Sequence, residues 1–366
     1  MHEVRAPGSL DPATTTVYER RAREWTEART GKSVELGRCL RARASTTRPL
    51  LDLGCGPGYL TAVLPDGTIG LDPAGAMLEL LATRVPGAVP VRGEAAHLPF
   101  RRRSLGGAVV NAVYVHVDRP DLPLVLAELH RVLAVDAPVE LGMFGGDQDL
   151  TAVAAGDFPG RRFALWGDAH LHDVAIGAGF SVDAHEHTET AHWPFLHTSL
   201  TRLRSLPDTV GPGMRMLVCG LNPSLHSADL GVGFGRAGNR FWPAALAAGI
   251  VSVDRDARHA LARHGIGMTD LVKRATPRAD EIAADEFRDG VGRLERLCAW
   301  LRPATVCMVG LAGWRAAVDR TATAGWQTRD LGGSPVYVMP STSGLNAHAQ
   351  LPDLTAHLVA AAAGPV

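Results

Sequence analysis

The sequence predicts an α/β protein in two parts, on three observations. Short apolar runs alternate with amphipathic stretches, the pattern of βα units around a largely parallel sheet. Two of those runs, at 50–53 and 216–219, end directly in turn-forming, glycine-bearing loops. Between them stands RSLPDTVGPG at 204–213, whose prolines and glycines read as a junction, and the rhythm then starts afresh. A chain of 366 residues suits two domains at roughly 100–200 residues each. The expected division is 1–203 and 204–366.

The elements follow in order. Segments 17–30 and 33–43 read as helices from mixed charge with spaced apolar residues. Leu50-Leu51-Asp52-Leu53 is a buried-strand signal, 68–71 a second strand and 76–83 a helix. A strand is predicted at 108–113, an amphipathic helix at 122–133 and a strand at 139–144. Residues 150–200 give no clear period. In the second half, strands are predicted at 216–219, 304–309 and 336–339. Helices are predicted at 241–248, 286–301, 312–320 and 354–363.

Apolar residues make up 46% of the chain and charged residues 20%, which excludes wholesale disorder. The net charge of −1 argues against a nucleic-acid partner for the chain taken whole, but its halves differ. Residues 1–200 hold 19 Lys and Arg against 24 Asp and Glu; residues 201–366 hold 18 against 14. The five cysteines include no CxxC pair, so neither a disulfide framework nor a Cys-rich zinc site is indicated. His170, His172, His185, His187, His192 and His197 crowd one region, but their spacing fits no tight ligand pattern and no metal is expected. No apolar run approaches the length of a membrane span, and the charged first 30 residues lack a signal peptide's apolar stretch. The expected location is the cytoplasm, with no membrane partner.

The string LDLGCGPG places Gly54, Gly56 and Gly58 directly after a strand. Glycines there let the backbone turn sharply and approach a ligand. Asp72 follows Asp52 by 20 residues, at the end of the next strand, where a carboxylate can accept bonds from ribose hydroxyls. The spacing is GxGxG rather than GxGxxG. With GLDPAGAML at 70–78, GEAAHLPF at 93–100 and AELHRVL at 127–133, this region resembles class I methyltransferases dependent on S-adenosylmethionine (SAM), over residues 15–185. The resemblance implies a Rossmann-like fold with SAM as cofactor. Asp52, Gly54, Gly56 and Gly58 would form the cofactor loop, Asp72 would hold the ribose, and Glu94 and Ala95 would edge the adenine. Tyr18 and Trp25 read either as part of a lid or as ordinary helix packing. Leu105-Gly106-Gly107 stands where the family carries Phe-Asp, and Val135-Asp136-Ala137-Pro138 where it carries Pro-Gly-Gly. Asn111-Ala112-Val113-Tyr114 lacks the prolines of amino-methylating DNA enzymes, and no Pro-Cys nucleophile is present, which argues against DNA methylation. Asn111, Tyr114 and His116 are candidates to face a methyl acceptor of unknown identity.

In the second half, Asn222 of GLNPS lies just past the carboxyl end of a predicted strand. Phe234 follows, then GNRFW at 238–242, GMTDLVKRATPRADEI at 267–282 and MPSTSGLN at 339–346. In this order the pieces resemble the mismatch-specific branch of the uracil-DNA glycosylase superfamily, over 204–364. The resemblance implies a three-layer α/β/α domain with a short parallel sheet. It also implies duplex DNA carrying G·U or a related mismatch as partner, a flipped base, and no metal or cofactor for this half. Asn222 would orient the attacking water through its side-chain carbonyl. Leu221, Ser227 and Phe234 would form the base pocket, Phe234 by stacking and Ser227 by crowding C5. Gly344-Leu345-Asn346 would be the wedge, and Ser341, Thr342 and Ser343 would meet phosphates. Asn239 and Arg240 read as braces for the loop, and Arg236, Lys273, Arg274 and Arg278 as sources of phosphate attraction. The expected activity is hydrolysis of the bond between sugar and uracil opposite guanine, with thymine and etheno-cytosine as further lesions. Two rivals stand beside it. In one, the chain methylates a small molecule or RNA and the second half only binds DNA. In the other, the first half senses SAM without transferring methyl.

Overall fold

The computed structural model describes residues 10–29, 33–45, 47–152 and 158–365. The chain separates into two compact units. One comprises residues up to Ile176 with Phe180–Leu203; the other comprises Arg204 onward with Gly177–Gly179.

The first unit runs α1 (Pro12–Arg20), α2 (Ala22–Glu27), α3 (Glu35–Arg43), β1 (Leu50–Leu53), β2 (Ile69–Asp72), α4 (Gly75–Arg84), β3 (Val89–Arg92) and β4 (Gly107–Asn111). It continues with α5 (Leu122–Val132), β5 (Pro138–Phe144), β6 (Gln148–Ala152), β7 (Arg162–Leu165), α6 (Asp168–Gly177), β8 (Phe180–Thr188) and β9 (Phe195–Arg202). Its seven-stranded sheet has the order β3-β2-β1-β4-β5-β9-β8. Pairing is parallel from β3 through β5, while β9 runs antiparallel to both β5 and β8. All four residues of β1 are buried, as expected of a central strand covered on both faces. The single helix predicted at 17–30 is instead two, interrupted where Arg21 leaves helical backbone at φ −116° and ψ 23°.

The second unit runs β10 (Met216–Gly220), α7 (Leu225–Leu230), α8 (Phe241–Ala247), α9 (Ala257–His264), β11 (Ile266–Asp270) and α10 (Ala284–Leu301). It ends with β12 (Val306–Val309), α11 (Leu311–Ala317), β13 (Gly325–Trp326), β14 (Val336–Met339) and α12 (Leu351–Ala363). The sheet order is β11-β10-β12-β14-β13, parallel except for β13. Alternation along β10 divides two apolar layers. Leu217 and Cys219 face one with Leu294 and Trp314; Met216 and Val218 face the other with Phe241 and Trp242. Helix α10 buries Phe287, Val291, Leu294, Leu297, Cys298 and Leu301, a helical stripe. Gly290 lets it approach closely, because a Cβ there would lie 2.2 Å from the Leu271 carbonyl oxygen.

Under this layer lies a charged cluster. Asp208 accepts from Lys273 Nζ at 2.7 Å, Arg293 at 2.8 Å and the Thr269 hydroxyl at 2.6 Å, and all four residues are buried. Burial alone would raise the Asp208 pKa, but the two cations outweigh it and hold it below the usual value. No helix among the described residues is long and apolar enough to cross a membrane.

Candidate functional sites

In the first unit, the glycine loop after β1 opens onto a cavity of about 1330 Å³. That exceeds the roughly 300–1,000 Å³ of an ordinary ligand pocket and leaves room for two molecules. Gly54, with φ +68°, cannot carry a side chain, since a Cβ would fall 2.2 Å from Val113 Cγ2. Gly56 and Asp72 meet through backbone: the Gly56 N–H donates to Asp72 Oδ2 at 3.0 Å, and the Ala74 N–H donates to Oδ1 at 2.9 Å. Burial pushes the Asp72 pKa up to about 6 even against those two donors. Asp52 accepts from the Thr61 hydroxyl at 2.6 Å, and burial lifts it further, to about 7. Both carboxylates line the cavity with Gly54 and Gly56.

Three predicted cofactor residues are placed elsewhere. Gly58 is absent from the lining and instead serves packing, because a Cβ there would meet Leu81 Cδ1 at 2.5 Å. Glu94 is exposed and Ala95 is buried, and neither lines the cavity. The loop after β3 therefore does not reach the described wall.

The remaining wall is aromatic. Tyr18, Trp25, Phe144, Phe163, Trp193 and Phe195 all line it. Phe144 and Phe163 lie 5.6 and 5.4 Å from Trp193 by ring centroids. Tyr18 and Trp25 do both: they pack against Ala22, Ala74 and Met77 and also line the cavity, where the Tyr18 hydroxyl lies 3.0 Å from His116 Nε2. The His116 Nδ1–H donates to the Arg162 carbonyl oxygen at 2.6 Å, so its Nε2 lone pair faces the Tyr18 hydroxyl. Burial lowers the His116 pKa to about 4, which keeps the ring neutral at physiological pH. Asn111 joins this wall, whereas Tyr114, also expected to face an acceptor, is fully buried in the core.

In the second unit, parallel β10 and β11 end side by side at Gly220 and Asp270, which are paired in register. A Cβ on Gly220 would meet Asp270 Oδ1 at 2.5 Å and Phe234 Cζ at 3.4 Å, so carboxyl and ring edge converge over a glycine. Asp270 was not singled out by sequence, where it read as one acid in TDLVKRA. Burial raises its pKa to about 6, partly opposed by Lys273. Phe234 stands in left-handed backbone at φ +55° and stacks on Phe241, with centroids 4.3 Å apart and planes 23° apart. The Trp242 Nε1–H pins the loop by donating to the Gly233 carbonyl oxygen at 2.8 Å.

Asn222 follows in the loop after β10. Its Nδ2 donates to the carbonyl oxygens of Pro223 and Arg274, at 3.2 and 3.1 Å, and to Thr276 Oγ1 at 2.8 Å. Carbonyls only accept, so this network fixes the amide orientation and leaves Oδ1 as the free acceptor. Thr276 is a positioning residue that spacing did not reveal; its own hydroxyl donates to the Arg278 carbonyl oxygen at 2.7 Å.

Two predicted pocket residues are committed elsewhere. The Leu221 side chain packs toward Gly313 and the layer of Phe287 and Trp314, so only its backbone adjoins Asn222. Ser227 is buried in α7, where its N–H donates to Ser224 Oγ at 3.1 Å as the helix cap, so that N–H is spent.

The loop after β14 presents Leu345, which is 86% exposed. Arg240 braces it, donating to the carbonyl oxygens of Ser343 at 2.8 Å, Asn346 at 2.6 Å and Ala349. Asn239 supports the same corner by accepting from the Phe241 N–H at 2.9 Å. The Asn346 Nδ2 donates to the Ser341 carbonyl oxygen at 2.8 Å. Gly344 allows the close approach, as a Cβ would lie 2.9 Å from the Gly238 carbonyl oxygen. Ser341 is exposed and Ser343 half-buried, but Thr342 is buried and cannot offer its hydroxyl to a phosphate. Lys273 is likewise withdrawn into the Asp208 cluster. Arg274 pairs with Glu286 and Arg278 with Asp280, while Arg236 is exposed.

Two family models match separate regions of the chain. Residues 207–362 match the uracil DNA glycosylase superfamily, and residues 51–138 match a methyltransferase domain. The chain joins a methyltransferase domain to a uracil-DNA glycosylase superfamily domain. Solved structures similar to the methyltransferase part include a SAM-dependent methyltransferase from Methanosarcina mazei. It has 19% identity and a TM-score of 0.41, covering 45% of this chain and 97% of its own. Another is the 1,6-didemethyltoxoflavin-N1-methyltransferase of Burkholderia thailandensis. It has 18% identity and a TM-score of 0.44, covering 55% of this chain and 98% of its own.

Proposed function

We propose that the glycosylase domain hydrolyses the N-glycosidic bond of uracil opposite guanine in duplex DNA, leaving an abasic site. The observation that supports this most is the Asn222 amide, whose Nδ2 is tied down by three acceptors so that Oδ1 is left as the acceptor. An amide is no strong base, so it orients water and the rate depends on stabilising the departing base. The flipped uracil would lie over Gly220 and against Phe234, with Asp270 at its edge. Ionised Asp270 accepts from the uracil N3–H; cytosine has no proton there, which gives a reason to reject it. Leu345 would enter the vacated stack, at a cost of flipping that is least at a mismatched pair. The test is excision from duplexes holding G·U, A·U, G·T and etheno-cytosine opposite guanine. Expected is cleavage at G·U above A·U; no cleavage of any of them overturns the reading.

We further propose that the methyltransferase domain binds SAM over the Gly54–Gly56 loop, with Asp72 on the ribose, and methylates a small planar acceptor. The aromatic wall beyond the loop supports such an acceptor over RNA. The domain's own contribution is to hold the acceptor between rings and to offer the Tyr18 hydroxyl oxygen, whose own proton is held by neutral His116, as a hydrogen-bond acceptor. Calorimetric titration with SAM tests the first step, and failure to bind overturns it. Transfer of labelled methyl to planar heteroaromatic compounds, against tRNA and duplex DNA as controls, tests the second. Labelling of tRNA alone overturns the small acceptor while leaving SAM binding intact.

A further inference from the structure

Strand β8 carries His185 and His187 two positions apart. Residues i and i+2 of a strand project from one face, and here that face meets Asp168, the first residue of α6. His185 Nε2 lies 3.3 Å from Asp168 Oδ1, and His187 Nε2 lies 3.0 Å from Oδ2. The two Nε2 atoms are 3.3 Å apart. Ligand atoms bound to zinc at roughly 2.0–2.1 Å in a tetrahedron stand about 3.3 Å from one another; the two nitrogens have that separation, each meets one oxygen of the carboxylate, and one ligand atom from each residue lies within 4.8 Å of the other two.

The outer support also fits. His185 Nδ1 lies 2.8 Å from the hydroxyl oxygen of buried Thr198 on β9. Donation from Nδ1–H to that oxygen leaves the lone pair on Nε2, aimed at the site. Metal-bound histidines are ordinarily held by such a second partner. The side chains of Asp168, His185 and His187 are 52%, 24% and 44% exposed, so a fourth position is open to water.

We propose that Asp168, His185 and His187 form a surface site for a divalent transition-metal ion, zinc foremost. Two imidazoles and one carboxylate favour zinc, nickel or copper over calcium or magnesium, which take oxygen ligands. The site ties the edge strand β8 to α6. Its position gives the ion a consequence. Glu186 and Thr188, alternating with the two histidines, line the large cavity, as do Thr190, His192 and Trp193 beyond them. The metal therefore staples the outer face of the strand whose inner face walls the cavity. Spacing along the sequence does not show the site, because the carboxylate comes from a helix 17 residues upstream of His185.

The test uses the full chain, free of any histidine tag and stripped with chelator, titrated with zinc chloride by calorimetry. Expected is one saturable site of micromolar affinity. Its affinity falls at least 100-fold in the doubly substituted His185→Ala, His187→Ala protein, and about tenfold in Asp168→Asn and in Thr198→Val. Circular dichroism and thermal melting without metal should be unchanged in the double variant, since both histidines lie at the surface. Zinc should raise the melting temperature of the original chain and not that of the double variant. No saturable binding up to 1 mM, or equal binding by original and double variant, overturns the proposal. The result does not depend on whether the cavity binds SAM.

Discussion

The two domains solve ligand recognition with opposite surfaces. The methyltransferase domain encloses its site: carboxylates and aromatic rings converge on a 1330 Å³ cavity, and burial moves Asp52, Asp72 and His116 away from their ordinary pKa values. The glycosylase domain builds its site from loops at the carboxyl edge of a short sheet and exposes its most apolar probe, Leu345. A small ligand must come out of water to be held, while a duplex must be met at a surface and entered. The charges follow the same logic. Of the cations expected to attract phosphate, Lys273, Arg274 and Arg278 are each paired with a neighbouring carboxylate, so DNA affinity should owe more to base and wedge than to phosphate.

The largest expected break in this comparison is structural. Asp208→Ala leaves Lys273 and Arg293 buried without their shared carboxylate, which costs on the order of 3–5 kcal/mol. Uracil excision should then fail at denaturant concentrations that leave SAM binding intact. Loss of both together would show that the two domains do not stand independently.

Next in size is Asn222→Ala, which removes the oriented acceptor without touching the wedge. Excision of uracil from G·U should fall about 10²–10³-fold, the range for losing one preorganised polar group. Duplex binding, measured by fluorescence anisotropy, should stay within about twofold. Asn222→Asp should not restore activity. A carboxylate there would face the Pro223 and Arg274 carbonyl oxygens that now accept from Nδ2.

Much of this was legible in the sequence, and the misses have physical causes. Strand–glycine–acid spacing pointed to the loop that opens onto the cavity, and Asn222, Phe234 and Leu345 stood out because they lie in or beside motifs that resemble those of the glycosylase superfamily. Asp270 and Thr276 were not, because a pairing register between parallel strands leaves no local mark. Strand β8 was missed because it lies at the sheet edge and, apart from Ala184, is polar on both faces from Asp183 onward, so no apolar alternation marks it. Arg21 broke a helix that the charge pattern drew as continuous. Thr342 and Lys273 looked like surface groups, yet tertiary packing buried both.

A third prediction sharpens the enclosed site. His116 has a folded pKa of about 4, below its ordinary value, so its neutral form stabilises the fold above about pH 6.5 and that contribution is lost as pH falls toward 4. Asp52 and Asp72 act in the opposite sense, since their raised values favour the fold at lower pH and cost stability as pH rises through about 6 to 7. The His116→Gln variant isolates the first effect. Between pH 8 and pH 5 it should lose about 2 kcal/mol less stability than the original chain, by denaturant titration. Equal losses would place His116 in contact with water.

The smallest effect tests the exposed site. Leu345→Ala shortens the wedge but leaves its frame, because Arg240 bonds to carbonyl oxygens rather than to the leucine side chain. Excision from a G·U duplex should fall about tenfold, near 1.4 kcal/mol, as less stacking area is replaced. Uracil in single-stranded DNA has no helical stack to refill, so its excision should change less than twofold. The ratio of the two rates separates wedging from chemistry. A uniform loss on both substrates would assign Leu345 to the base pocket, and no loss on either would remove the wedge and leave Phe234 and Asp270 to hold the flipped base alone.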